Sequence, residues 1–196
     1  MTGSLKDQTV LVIGRGSGLA RAIVLAARDE GAQVVAAGRD QEGLGAAYEG
    51  EPDVSTELVD LNDEASIAAL GERLGTIDHV VSTASARARG RLADLDRDAV
   101  RVSFDTKVIG PLMLAKHLAP RMGKGGSFVI FSGVAAAKIA VGTMAVAITN
   151  AAADPWPVPL PWNWRPSGST RSPRESSTAA PGTHSASRAR RTTSPT

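Results

Sequence analysis

Short apolar runs alternate with stretches of helical period along the first three quarters of the chain. The runs at 9–13, 33–37, 55–59, 79–82 and 127–131 are rich in valine, isoleucine, alanine and serine. Apolar runs this short, bounded by glycine or polar residues, suit strands covered on both faces. Between and after them, residues 19–30, 41–48, 63–74, 99–119 and 141–153 space their apolar positions three or four apart. Repeated strand–helix units predict an α/β fold: a doubly wound parallel sheet of about five strands, with helices on both faces and right-handed crossovers. In such a sheet the ligand sits where the winding reverses, here between the first and fourth strands.

The pattern stops after Asp154, which divides the chain into a folded region, 1–154, and a tail, 155–196. Pro155-Trp156-Pro157-Val158-Pro159-Leu160-Pro161 cannot be helical, because proline lacks the donor N–H and clashes with the preceding turn. From Ser167 onward the tail is mostly Ser, Thr, Arg, Ala and Pro, a composition that predicts disorder. The tail holds six arginines and one glutamate, a surplus of five positive charges. With a total of +2, the folded region is therefore net −3. That distribution argues against nucleic-acid binding by the folded region.

The chain has no cysteine, which excludes a disulfide, a thiolate metal site and a cysteine nucleophile. His79, His117 and His184 are scattered without metal-ligand spacing, so no metal is expected. The polar start, Met1-Thr2-Gly3-Ser4-Leu5-Lys6-Asp7, does not read as a signal peptide, and no apolar run is long enough to span a membrane. A cytoplasmic protein is the expectation.

Candidate chemistry begins at Ile13-Gly14-Arg15-Gly16-Ser17-Gly18-Leu19-Ala20, between the first strand and the first helix. Glycines at this junction let the backbone approach a pyrophosphate, and the helix N-terminus offers free N–H groups and positive partial charge. Gly38-Arg39-Asp40 ends the second strand. An acidic residue directly after that strand would take a ribose 2′-hydroxyl, as in NAD binders. Arg39 instead offers a guanidinium fork suited to a 2′-phosphate, and Arg15 adds a second charge. NADP is therefore expected over NAD, the alternative being two solvated surface arginines.

Several landmarks together identify a family. The turn reads Gly-x-x-x-Gly-x-Ala (Gly14, Gly18, Ala20). Asp60-Leu61 follows the third strand, Ser82-Thr83-Ala84-Ser85 the fourth, and Asp105-Thr106-Lys107-Val108-Ile109-Gly110 lies in the fourth helix. Residues 5–154 thereby resemble the short-chain dehydrogenase/reductase family, whose fold is Rossmann-like. The resemblance implies an oxidoreductase moving a hydride between a nicotinamide and a small carbonyl or alcohol substrate. It implies Gly14, Gly16, Ser17, Gly18 and Leu19 at the pyrophosphate, Asp60 and Leu61 at the adenine, and Ala84 beside the nicotinamide-side ribose. Ser132 matches the catalytic serine that helps hold the substrate oxygen. Relatives form homo-oligomers through their fourth and fifth helices.

The resemblance also shows what is missing. The family's tyrosine acid/base, about 13 or 14 residues after the serine, falls at Val146, and the lysine four residues later falls at Asn150. The family's asparagine is replaced by Lys107, grouped here with the cofactor contacts. Lys107 and Lys138 remain as substitute proton sources, against a structural or surface role for both. The chain is thus expected to be a weak or inactive reductase, with a non-catalytic nucleotide binder or a decayed fragment as the alternative.

The tail adds one more reading. Joining the last base of each codon from 155 to 174 with the first two bases of the next permits a peptide resembling the family's continuing helix and following strand. Three of its residues are forced: Ala from Trp156-Pro157, Glu from Trp162-Asn163 and Leu from Asn163-Trp164. Residues from about 155 on are therefore expected to be translated out of frame, the alternative being a genuine, divergent proline-rich tail. Without the family's later strands, the fifth strand is expected to be an exposed edge.

Overall fold

The computed structural model describes residues 4–155, so expectations for the tail lie outside the described residues. Five strands, β1 (Thr9–Ile13), β2 (Gln33–Gly38), β3 (Val54–Leu58), β4 (Ile77–Ser82) and β5 (Met122–Ile130), form one parallel sheet in the order β3-β2-β1-β4-β5. The winding reverses between β1 and β4, where Leu11 stands opposite both Val35 and Val80.

The sheet is covered on both faces because its strands are apolar in both directions. Val10 and Val12 of β1 join Val34 and Ala36 of β2 under α1 (Gly18–Asp29) and α2 (Gln41–Ala47), with Ala20, Val24, Leu44 and Tyr48. Leu11 and Ile13 join Val35 and Val80 on the opposite face. There Ile67 and Leu70 of α3 (Glu64–Leu74) and Leu114 and Leu118 of α5 (Gly110–Leu118) close the second core. Asp40, Asp63 and Asp96 cap α2, α3 and α4 (Arg97–Phe104), each accepting a backbone N–H of the first turn. A further helix, α6 (Met144–Ala153), packs on α4 and on the segment between α4 and α5.

Several expected boundaries move, each for a local reason. The single helix expected at 99–119 is α4 and α5 separated by a π-helical turn, Asp105–Ile109. A Cβ at Gly110 would lie 2.9 Å from the carbonyl oxygen of Asp105 and 2.8 Å from Leu61 Cβ, so glycine permits the close seating of this turn on the end of β3. β5 starts at Met122 rather than 127, because Gly123, Gly125 and Gly126 hide an extended segment from apolar periodicity. α6 starts at Met144 rather than 141, after Gly142, whose φ of 77° ends the preceding turn. β3 begins one residue earlier than expected, and Val59 beyond it is still tied in through its N–H to Gly38 O. Among the described residues β5 pairs only with β4, as expected of an edge, and Val129 on it is 42% exposed. No described helix is long and apolar enough to cross a membrane.

Candidate functional site at the switch point

The glycine turn is shaped by collisions that side chains would cause. A Cβ on Gly14 would strike Thr83 Oγ1 and come within 2.7 Å of the Ala20 methyl group. On Gly16 it would run into Ala47 of α2, and on Gly38 it would lie 2.6 Å from Gly14 O. Gly18 has open space around it but a φ of 58°, which is why a glycine opens α1. The turn is locked to both neighbouring strands. Gly14 N–H donates to Ala37 O at 2.9 Å, and Thr83 donates its N–H and hydroxyl to Ile13 O at 2.9 and 3.1 Å.

Ser17, the N-cap of α1, makes no capping bond with its side chain, so the first N–H groups of α1 keep their capacity for a ligand. Leu19 is 53% exposed beside them. Arg15 and Arg39 are exposed and form no ion pair with any described residue, whereas Arg21, Arg28 and Arg73 all do. A cradle that a Cβ would fill, an uncapped helix start and a free guanidinium beside Gly38 fit a phosphorylated dinucleotide.

Asp60 lies at the end of β3, where its carboxylate accepts Asn62 N–H at 2.9 Å. The neighbouring Leu61 is 6% exposed and its side chain belongs to the α3/α5 core, so only its backbone remains for a ligand. Ala84 is half-buried against the same core.

Ser132 follows β5, and its hydroxyl donates to Asn150 O of α6 at 3.1 Å. Val146 and Asn150 are both buried, one turn apart on α6. The Asn150 amide packs so closely on Gly133 that a Cβ there would lie 2.8 Å from Nδ2. No titratable group therefore stands at either α6 position next to Ser132. The sole tyrosine, Tyr48, is 4% exposed in the α1/α2 core across the sheet. Its hydroxyl has no hydrogen-bond partner among the described residues, and burial pushes its pKa up. His79 bridges Gln8 and Ser127 at 2.8 Å each, and His117 lies 2.9 Å from Glu64, so both are engaged locally. Lys138 is exposed, and His184 lies outside the described residues.

Lys107, in the π-helical turn, is 7% exposed. Burial pulls its ammonium below the ordinary lysine range, and Arg87 adds to that pull while Asp154 works against it. Lys107 stands out in the sequence as the residue at the family's asparagine position, but its burial has no signature there. With a folded-state pKa below the unfolded one, the native chain binds fewer protons between the two values. Stability therefore rises as pH climbs through that window, and the full penalty is present below it. Lys107→Gln is expected to raise the urea midpoint at neutral pH and to flatten that rise. Urea titrations across alkaline pH check this, and an unchanged slope would contradict it.

Residues 13–155 match a family model described as Enoyl-(Acyl carrier protein) reductase. The chain is 30% identical over 122 residues to the 2-keto-3-deoxy-L-fuconate dehydrogenase of Xanthomonas campestris, covering 62% of this chain and 41% of that protein. It is 33% identical over 116 residues to the L-xylulose reductase of Bos taurus, covering 59% of this chain and 47% of that one. The chain thus spans less than half the length of these curated relatives. A short-chain type dehydrogenase/reductase from Mycobacterium ulcerans superimposes with a TM-score of 0.71 at 30% identity, over 77% of this chain and 60% of that one. A short chain dehydrogenase of Escherichia coli CFT073, solved with NADPH, shares the fold with a TM-score of 0.71 at 21% identity, over 78% and 69%.

Proposed function

The chain belongs to the short-chain dehydrogenase/reductase family, and from that premise we propose that it binds NADP at the β1–α1 turn as an oxidoreductase deprived of its usual proton relay. The observation that carries this reading is Arg39, a free guanidinium at the end of β2 whose neighbour Gly38 packs on Gly14 of the turn. Gly14, Gly16, Ser17, Gly18 and Leu19 hold the pyrophosphate, with Arg15 and Arg39 toward the 2′-phosphate. Asp60 and the Leu61 backbone flank the adenine, and Ala84 the nicotinamide-side ribose. Bound there, the nicotinamide supplies or accepts a hydride, and the protein contributes orientation and electrostatics.

The substrate class is a small carbonyl or alcohol. Ser132 stands where its oxygen would be held, but the Ser132 proton is spent on Asn150 O. Val146 carries no proton to give. Proton transfer by a positioned side chain contributes about 10²–10⁴-fold, so turnover by this chain is expected to be weak or nil. The same observations, Val146 and the Ser132–Asn150 bond, favour a second reading as a nucleotide binder without catalysis.

Titration of the full chain with NADPH and NADH, following nicotinamide fluorescence, tests the cofactor reading. Arg39→Gln is expected to weaken NADPH binding about 10–100-fold, the worth of one hydrogen-bonded charge, with NADH binding unchanged. Equal losses for both cofactors, or no NADPH binding by the parent chain, would sink it.

A further inference from the structure

The π-helical turn carries a buried positive charge that the proposed nucleotide contacts leave unused. Lys107 is 93% buried yet has neither a hydrogen bond nor an ion pair with any described residue. Its nitrogen is not sealed away, because among the described residues the one sealed side-chain polar atom without a partner is the Tyr48 hydroxyl. A desolvated ammonium without a counter-charge is costly, and an anion arriving through the opening would offset that cost.

The surrounding backbone shows which way the cluster faces. One turn before Lys107, Ser103 is fully buried and its hydroxyl donates to Ala86 O at 2.7 Å. Residues four apart share a helix face, so Lys107 is turned toward the loop after β4 in which Arg87 follows Ala86. That loop is tied to the turn before α6 by Gly90 N–H to Gly142 O at 3.1 Å, and it also presents Arg89 and Arg91 to solvent. From the other side α6 packs on the π-helical turn. Asp154, one turn past Asn150 at the end of α6, is the opposing charge, and it forms no ion pair with any described residue. Arg87 thus acts on Lys107 as a like charge and Asp154 as the opposing one, on a turn packed against the helix whose Asn150 O accepts from Ser132.

We propose that the substrate is a carbonyl compound bearing a carboxylate, gripped by Lys107 of the π-helical turn with the exposed Arg87 of the adjoining loop beside it. The proposal rests on the cofactor reading for its location and on Lys107 and Arg87 for its chemistry. A neutral substrate would leave the buried ammonium uncompensated, whereas a carboxylate receives a charge-assisted hydrogen bond from it.

Calorimetry on the full chain with saturating NADPH, using pyruvate and its uncharged amide, pyruvamide, as probes, decides the matter. Pyruvate is expected to bind at least about tenfold more tightly than pyruvamide. Lys107→Gln should lose that margin and Lys107→Arg should keep it. Affinity for pyruvate should also fall as pH rises through the lowered Lys107 range, while Lys107→Arg stays flat. Equal binding of the two probes, no binding of pyruvate, or undiminished pyruvate binding by Lys107→Gln would overturn the proposal. If NADPH itself does not bind, the cofactor reading fails. The same pyruvate–pyruvamide comparison on the cofactor-free chain then judges the anion site alone.

Discussion

The combined substitution Lys107→Asn, Val146→Tyr and Asn150→Lys is expected to raise NADPH-dependent reduction of diacetyl about 10²–10⁴-fold over the parent chain. Val146 and Asn150 stand one turn apart on α6, beside Ser132, so a tyrosine and a lysine there would share one face. A lysine at 150 favours the tyrosinate through its charge, bringing the phenol toward the working pH. Lys107 must go at the same time, because its ammonium sits on the π-helical turn packed against α6. Two ammonium groups across that contact would repel and would both be harder to protonate. The variant lacking only the Lys107 change should therefore gain less than the triple. Loss of nicotinamide absorbance in single-turnover mixing measures the rate. A triple variant that binds NADPH but reduces diacetyl no faster than the parent would show that more than the proton relay is missing.

Gly14→Val is expected to cost both stability and the cofactor. Its first added carbon would meet Thr83 Oγ1 and approach the Ala20 methyl to 2.7 Å. Thr83 cannot yield, since its N–H and hydroxyl both bond Ile13 O. Ala20 cannot yield without lifting α1 from β1. Overpacking of this kind typically costs about 1–3 kcal/mol, a large share of the ~5–15 kcal/mol that holds a domain together. The same displacement moves the first N–H groups of α1 away from the cradle, so NADPH binding should vanish even where the variant folds. Gly45→Ala in α2 is the control: nothing lies within 4 Å of its added carbon. It should stabilise the chain by roughly 0.5–1 kcal/mol. Denaturant midpoints and NADPH titration of the two variants check this, and similar behaviour of both would refute the steric account.

Much of this was legible without coordinates because it depends on near neighbours in the chain. Apolar runs of strand length, the spacing of the helices and the strand–glycine–helix junction gave the sheet, its winding and the glycine turn at the switch point. Arg39 was readable because it stands directly after a strand end, where its position needs no tertiary information. The absence of tyrosine and lysine from α6 was readable for the same reason, through the distance of Val146 and Asn150 from Ser132.

Other features waited on packing. β5 was half hidden, since glycines at 123, 125 and 126 leave no apolar alternation, and pairing with β4 is what extends them. The π-helical turn has no signature in residue spacing, and close contact of Gly110 with Leu61 goes with it. Leu61, expected at the adenine, sends its side chain into the core, because a leucine following β3 has a hydrophobic layer directly beneath it.

The sequence by itself determined the strand–glycine–helix turn at 14–20, the arginine directly after the second strand, and the valine and asparagine where the family carries tyrosine and lysine. Those properties follow from residue types at fixed separations along one strand or helix. Only the tertiary structure decided that Ser132 spends its proton on Asn150 and that Lys107 is buried, turned toward Arg87 and without an ion-pair partner among the described residues. Those are contacts between segments far apart in the chain, and burial and charge at such contacts come into being only when the sheet has brought the segments together.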